Sequence, residues 1–321
     1  MTKPLMTFAL TAAIASPQAV IGARSDAPAA QQLKPNLEAA RPLLGYVTDA
    51  SNVLYSVVGS AARPQWGDPL ALPDPAARTF LPPRQQFALV GSPQGLSIAR
   101  LSRSSLYPGS VIPEAMPLPD RVTFSPSGEA AALFSISAGR IEVLSTRDAG
   151  RVFWSVPTSN GADLEQLTVS DDGQLLAARF AGQPAVFSSH GAPWQLLRTN
   201  YSPNAWTFLP NSHALVFSDK TARVIVVLPQ ADSSTLVERV LASGAIAPDL
   251  LSPNKEGSRL LLAKLGTSAA WSVDLLSGVI SSLPVKDALE SPTLLRDGET
   301  FLLSTKDAPV LVKLAATNTS H

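Results

Sequence analysis

The sequence predicts an all-β fold, a six-bladed β-propeller with seven blades as the alternative. One phrase recurs six times between residues 80 and 300: an apolar strand, a tight turn and a second apolar strand. The copies are Phe80-Leu-Pro-Pro-Arg84, Phe124-Ser-Pro-Ser-Gly128, Val169-Ser-Asp-Asp-Gly173, Phe208-Leu-Pro-Asn-Ser212, Leu251-Ser-Pro-Asn-Lys255 and Leu294-Leu-Arg-Asp-Gly298. Their third positions, Pro82, Pro126, Asp171, Pro210, Pro253 and Arg296, lie 44, 45, 39, 43 and 43 residues apart. That even period is the length of a four-stranded blade.

Within a repeat, period-2 alternation and turn residues give the order of strands. The second repeat reads as Arg121–Ser125, Ala130–Ile136, Arg140–Ser145 and Arg151–Val156. Between its first two strands, Pro126 sets one corner of the turn and Gly128 supplies φ > 0. The third repeat copies it with Gln166–Ser170, Leu175–Phe180, Ala185–Ser188 and Trp194–Leu197. In the fifth, Trp271–Asp274 and Val279–Leu283 form a hairpin. The last repeat supplies Pro292–Leu295, Thr300–Ser304 and Val310–Leu314, and its outer strand is missing. Gly45–Asp49 and Val53–Val58 resemble the Trp271–Leu283 hairpin but carry no turn phrase before them. They are therefore expected to dock on the last repeat, sealing the ring and covering an edge that would otherwise recruit other chains. A seventh blade would need inner strands from residues 24–42, which show no strand pattern.

The first two dozen residues read as a secretory signal peptide. Lys3 is the basic end, Leu5–Ala15 an apolar stretch of 11, and Ala13-Ile-Ala15 or Ile21-Gly-Ala23 a small-residue cleavage site. The domain plan is then signal peptide 1–23, linker 24–42, propeller 43–315 and polar tail 316–321, in a periplasmic or secreted protein. No apolar run reaches the roughly 18 residues of a membrane-spanning helix, so no integral membrane segment is expected after cleavage. Twenty-five basic and 25 acidic residues cancel, leaving no global field for a phosphate backbone. Nucleic acid is not an expected partner. The absence of Cys excludes disulfides, thiolate catalysis and Cys-based zinc sites.

Catalytic signals are sparse. His190, His213 and His321 all fall at loop or terminal positions and read as solvated. There is no nucleophile elbow, zinc-protease motif or phosphate-binding loop. One constellation stands out. Six residues before each third position, at the entry to the first strand, stand Ala76, Asp120, Glu165, Asn204, Ala247 and Glu290, with Asp249 two places beyond Ala247. Equivalent positions on inner strands form a ring at one mouth of the channel. The ring's oxygen-bearing members, Asp120, Glu165, Asn204 and Glu290, suit a hard cation such as Ca²⁺, which takes about 6 to 8 oxygen ligands. The competing reading is that polar residues flank strands at a water-filled channel simply to terminate them. Trp154, Trp194, Trp206 and Trp271 fall on strands and are expected to pack between blades, each with an N–H in need of a partner. Trp66, in a Pro-rich connection, is the candidate anchor for a ligand or partner, the alternative being a packed loop.

The phrase Phe124-Ser-Pro-Ser-Gly-Glu129 and its looser copies resemble the repeat unit of WD-repeat-like propellers of the TolB type. They are similar also to units of secreted YncE-like and lactonase-like propellers, over roughly residues 43 to 315. The Trp-Asp and Gly-His signatures of true WD repeats are missing. The resemblance implies a bacterial periplasmic or secreted protein, in a group that includes binding scaffolds and metal-dependent hydrolases. In lactonase-like enzymes a divalent metal sits on acidic and Asn side chains at the channel mouth, where it polarises an ester or phosphoryl oxygen and activates water. The expected function is a non-catalytic binding or scaffolding module for an unidentified protein or small molecule, with no cofactor. The alternative is a Ca-type lactonase- or phosphotriesterase-like hydrolase using Asp120, Glu165, Asn204 and Glu290.

Overall fold

The computed structural model describes residues 41–49, 51–72, 74–147, 149–158, 163–189, 195–197, 199–233, 236–244, 247–289, 291–304 and 309–314. The proposed signal peptide and most of the linker lie outside them, as do His190, Trp194, Glu290 and the polar tail. The described residues contain strands and turns, without a helix.

The strands form seven antiparallel sheets, each from one continuous stretch of chain. Blade one is β1 (Leu43–Thr48), β2 (Leu54–Ser60) and β3 (Arg63–Leu70). Blade two is β4 (Arg78–Phe80), β5 (Phe87–Ser92), β6 (Gly95–Leu101) and β7 (Leu106–Tyr107). Blade three is β8 (Arg121–Phe124), β9 (Ala130–Ser135), β10 (Arg140–Ser145) and β11 (Arg151–Pro157). Blade four is β12 (Leu164–Val169), β13 (Leu175–Phe180), β14 (Gln183–Ser188) and β15 (Gln195–Leu196). Blade five is β16 (Pro203–Phe208), β17 (Leu215–Asp219), β18 (Val224–Leu228) and β19 (Arg239–Ser243). Blade six is β20 (Leu250–Pro253), β21 (Arg259–Lys264), β22 (Ala269–Asp274) and β23 (Ile280–Ser282). Blade seven is β24 (Ser291–Leu294), β25 (Thr300–Ser304) and β26 (Pro309–Lys313).

Seven apolar clusters hold the ring, one at each junction. Leu260 and Leu262 on β21 face blade five, whereas Leu261 and Ala263 face blade seven. Strand geometry turns successive side chains to opposite faces. Because both faces are covered, the second strand of a blade is apolar throughout, as in Ala130–Phe134 and Leu260–Ala263. The seventh cluster, Val47 and Val57 with Leu295 and Leu302, joins blade seven to blade one and closes the circle.

The β-propeller fold is therefore as expected, with the seven-blade alternative as the count. The N-terminal strands do meet the last repeat, but through side-chain packing; β24–β26 form a sheet that takes no strand from them. The seventh inner strand is β1 itself, and not a segment of residues 24–42. Its turn lacks Pro and Gly. Asp49 replaces them: its Oδ1 accepts the N–H of Ser51 and of Val53 at 2.9 and 2.8 Å, and Asn52 takes φ 62°. This is an Asx-type turn, in which a side chain stands in for a backbone acceptor. Gln85, fully buried, then links blade two to blade one. Its amide accepts from Tyr46 N and donates to Tyr46 O at 2.6 and 2.7 Å, as a neighbouring peptide group would.

Trp66 lies on β3, paired with Val57, and not in a connection. It is 43% exposed.

Candidate functional site

The first strands of blades three to six, β8, β12, β16 and β20, approach one another in sequence around the channel. At the entry of these strands a side chain of one blade donates to a carbonyl of the next. Arg121 Nη1 reaches Leu164 O and Glu165 O at 3.2 and 3.0 Å. Arg179 Nη1 reaches Pro203 O and Asn204 O at 2.6 and 3.2 Å. Asn204 Nδ2 reaches Pro248 O at 2.8 Å. Three successive junctions are stitched this way.

The predicted oxygen ring takes part in the same framework. Asp120 Oδ2 accepts the N–H of Ile136 at 2.7 Å, capping the turn between β9 and β10. Glu165 does the same one blade on, its Oε1 accepting Gly182 N at 2.9 Å while Oε2 pairs with Arg179 Nε at 2.5 Å. Asn204 is turned toward blade six. Each side chain thus serves a different partner, and among the described residues no three His, Asp or Glu side chains are placed to hold a metal. Glu290 lies outside those residues.

Past this rim is a cavity of about 320 Å³, with Arg121, Thr123, Gln166, Leu167, Trp206 and Asp249 among its lining. Gln166 and Trp206 are among its lining residues, while their Oε1 and Nε1 atoms are closed off from solvent and have no hydrogen-bond partner. Trp206 is only 7% exposed and packs in the cluster between blades four and five. Its neighbour in kind, Trp154, shows the usual solution: its Nε1 donates to Gly173 O at 2.7 Å. Trp206 was legible in the sequence as a strand indole needing a partner. Gln166 was not, because nothing in a polar residue at a strand start says that its amide oxygen is closed off from solvent.

At the far ends of these strands, where the Pro/Asp-Gly turns lie, is a second concavity of about 470 Å³. Asp171 organises it. Its Oδ1 accepts Ser127 N and its Oδ2 accepts Asn211 N, both at 2.7 Å, so one carboxylate joins the turns of blades three, four and five. His213 is not the solvated loop residue that its sequence position implied. Its Nε2 meets Asp172 Oδ2 at 2.9 Å and its Nδ1 meets Asp232 Oδ2 at 3.2 Å. Burial works against the charged ring, but the hydrogen bond and charge of Asp172, with those of Asp232, outweigh it and hold the imidazole above its ordinary pKa. Burial likewise opposes ionisation of Asp172, and hydrogen bonds from Ser170, Gln174 N and His213 overcome it, holding that carboxyl below its ordinary value. With a carboxylate on each ring nitrogen, His213 has no free nitrogen to act as a base.

No protein-family model matches the chain, and no curated protein matches it. Solved structures share its architecture. Kluyveromyces lactis Hsv2 is similar with a TM-score of 0.55 at 13% identity, over 74% of each chain. A functionally unknown protein from Desulfotomaculum acetoxidans aligns with a TM-score of 0.55 at 13% identity, over 83% of this chain and 90% of its own. A candidate 6-phosphogluconolactonase from Bacteroides fragilis aligns with a TM-score of 0.51 at 12% identity, over 85% and 94%. At such identities the likeness is one of fold, which hosts many unrelated activities.

Proposed function

We propose that the protein is an exported, non-catalytic β-propeller that binds a small molecule in its central channel. The observation that carries this reading is the cavity of about 320 Å³ among the first strands of blades three to six, lined by charged, polar and apolar side chains together, Arg121, Gln166, Trp206, Asp249 and Leu250 among them. Export is supported by Lys3, the Leu5–Ala15 stretch and the small-residue sites after it.

Binding is favoured over metal-dependent hydrolysis because the oxygens a cation would need already cap turns or pair with Arg179. Among the described residues no three His, Asp or Glu side chains are placed to share a cation. Calorimetric titration of Ca²⁺ into chelator-treated protein, alongside assays with lactone and phosphotriester substrates, decides between the readings. No heat and no metal-dependent turnover are expected; saturable Ca²⁺ binding that switches on hydrolysis would install the hydrolase instead.

A further inference from the structure

We infer that a cavity between blades two and three, away from the channel, binds a small aromatic carboxylate, with the carboxylate on Arg100 and the ring against Phe87 and Tyr107. Strand pairing sets these three side chains in one row. Phe87 on β5 stands opposite Arg100 on β6, and Arg100 stands opposite Tyr107 on β7. Directly paired residues share a face of the sheet, and Ile98, two places before Arg100, shares it too. This face looks toward blade three. Phe87 meets Phe124 edge-on at 6.3 Å, and Ala149, from the turn between β10 and β11, forms part of the opposite wall. The outer strand β7 stops after two residues, at Pro108-Gly109, where the chain passes so close to β6 that a Cβ on Gly109 would lie 1.7 Å from Ile98 O. Pairing resumes at Ser110, whose carbonyl accepts Ile98 N at 3.2 Å.

The resulting concavity of about 630 Å³ has the size and make-up of a small-molecule site, mostly apolar and aromatic with a few polar groups. Among the described residues Arg100 is the only charged side chain of its lining. Its guanidinium therefore meets no carboxylate there, and its planar fork of N–H donors matches one bidentately. Phe87, Ile98 and Pro108 offer side chains without a hydrogen-bonding group, so the body of the ligand must be apolar. Tyr107, 55% exposed, adds a rigid aromatic flank. A phosphate would engage Arg100 and leave the apolar wall wet. An uncharged ring would cover that wall and leave the guanidinium without a counter-ion. An aromatic carboxylate does both.

The test is isothermal titration of the full chain with benzoate, phenylacetate and 3-phenylpropionate, against acetate, inorganic phosphate and benzamide. Saturable binding of at least one aromatic acid is expected, about tenfold or more tighter than that of any of the three controls. Arg100→Gln and Tyr107→Ala should each weaken it about tenfold or more, while Arg121→Gln, in the channel, leaves it unchanged. Melting temperatures show that each variant is folded, and Arg100→Lys, which keeps the charge but loses the fork, replaces Arg100→Gln if that one is not. Benzamide or phosphate binding as tightly as the acids overturns the ligand class. Acid binding lost in Arg121→Gln but kept in Arg100→Gln moves the ligand to the channel and overturns the site. If none of the three acids binds, the inference fails, and the channel-binding reading is untouched because it concerns a different cavity.

Discussion

Two carboxylates flank His213 on the turn face and favour its charged form. Asp172 comes from the turn of blade four and Asp232 from blade five, so the imidazole ties adjacent blades through protonation. The sign of its pH dependence follows from linkage. The folded pKa lies above 6.5, so the stabilisation is complete below 6.5 and disappears as pH rises through the raised folded value. Asp172 behaves oppositely: its contribution is complete above 3.8 and is lost as acid carries the pH down through the lowered folded value. The clamp is strongest between those limits. Urea denaturation of wild type and His213→Gln at pH 5, 7 and 9 should show a stability gap that narrows steadily with alkalinity. A gap independent of pH would mean that the two ion pairs contribute nothing.

The first two strands of each blade carry much of the packing. Phe208, ending β16, is fully buried in the cluster between blades four and five. Phe208→Ala should cost about 3–5 kcal/mol through lost burial and an unfilled cavity, measurable by chemical denaturation. Phe124, its counterpart one repeat pair earlier, is only part-buried, with its ring edge-on to Phe87 at 6.3 Å, and should cost less. These strands were plainly legible in the sequence. The expected Arg140–Ser145 and Thr300–Ser304 coincide with β10 and β25. Local chemistry explains why: a turn such as Ser125–Gly128 combines Pro with a glycine at φ 80°, whose missing Cβ leaves room for Pro82 and Pro83 of blade two. Blade one escaped detection because Asp49 and Asn52 make its turn by side-chain acceptance and a left-handed backbone, which no Pro or Gly announces. The site was legible to a smaller degree. Asp120 and Glu165 stood out by repeat position, but what their oxygens accept depends on residues 16 and 17 positions away, in the turns between the second and third strands.

For the molecule as a whole, the seven junctions are unequal. The one between blades seven and one has Val47, Val57, Leu295 and Leu302 as its buried residues among those described, while the junction between blades four and five buries Trp206, Phe208, Phe217 and a longer series of aliphatic side chains. Both blades at the closing junction also have three strands among the described residues. Regions with less buried apolar surface open at lower free energy. Native-state hydrogen exchange should therefore show β1, β2, β24 and β25 exchanging before β13 and β17. Leu302→Ala, which removes a fully buried side chain from that seam, should accelerate exchange there selectively; equal acceleration in all seven sheets would mean that the ring opens only by global unfolding.

Among the described residues every sheet is assembled from a contiguous run of chain, and none borrows a strand from the opposite end. Loop-closure entropy is therefore small for each sheet and is deferred to a single late event. During synthesis, blades one to six can complete in order as they leave the ribosome, each templating the apolar face of its successor. The final act is the meeting of Leu302 with Val47 and Val57, which turns a growing spiral into a wheel.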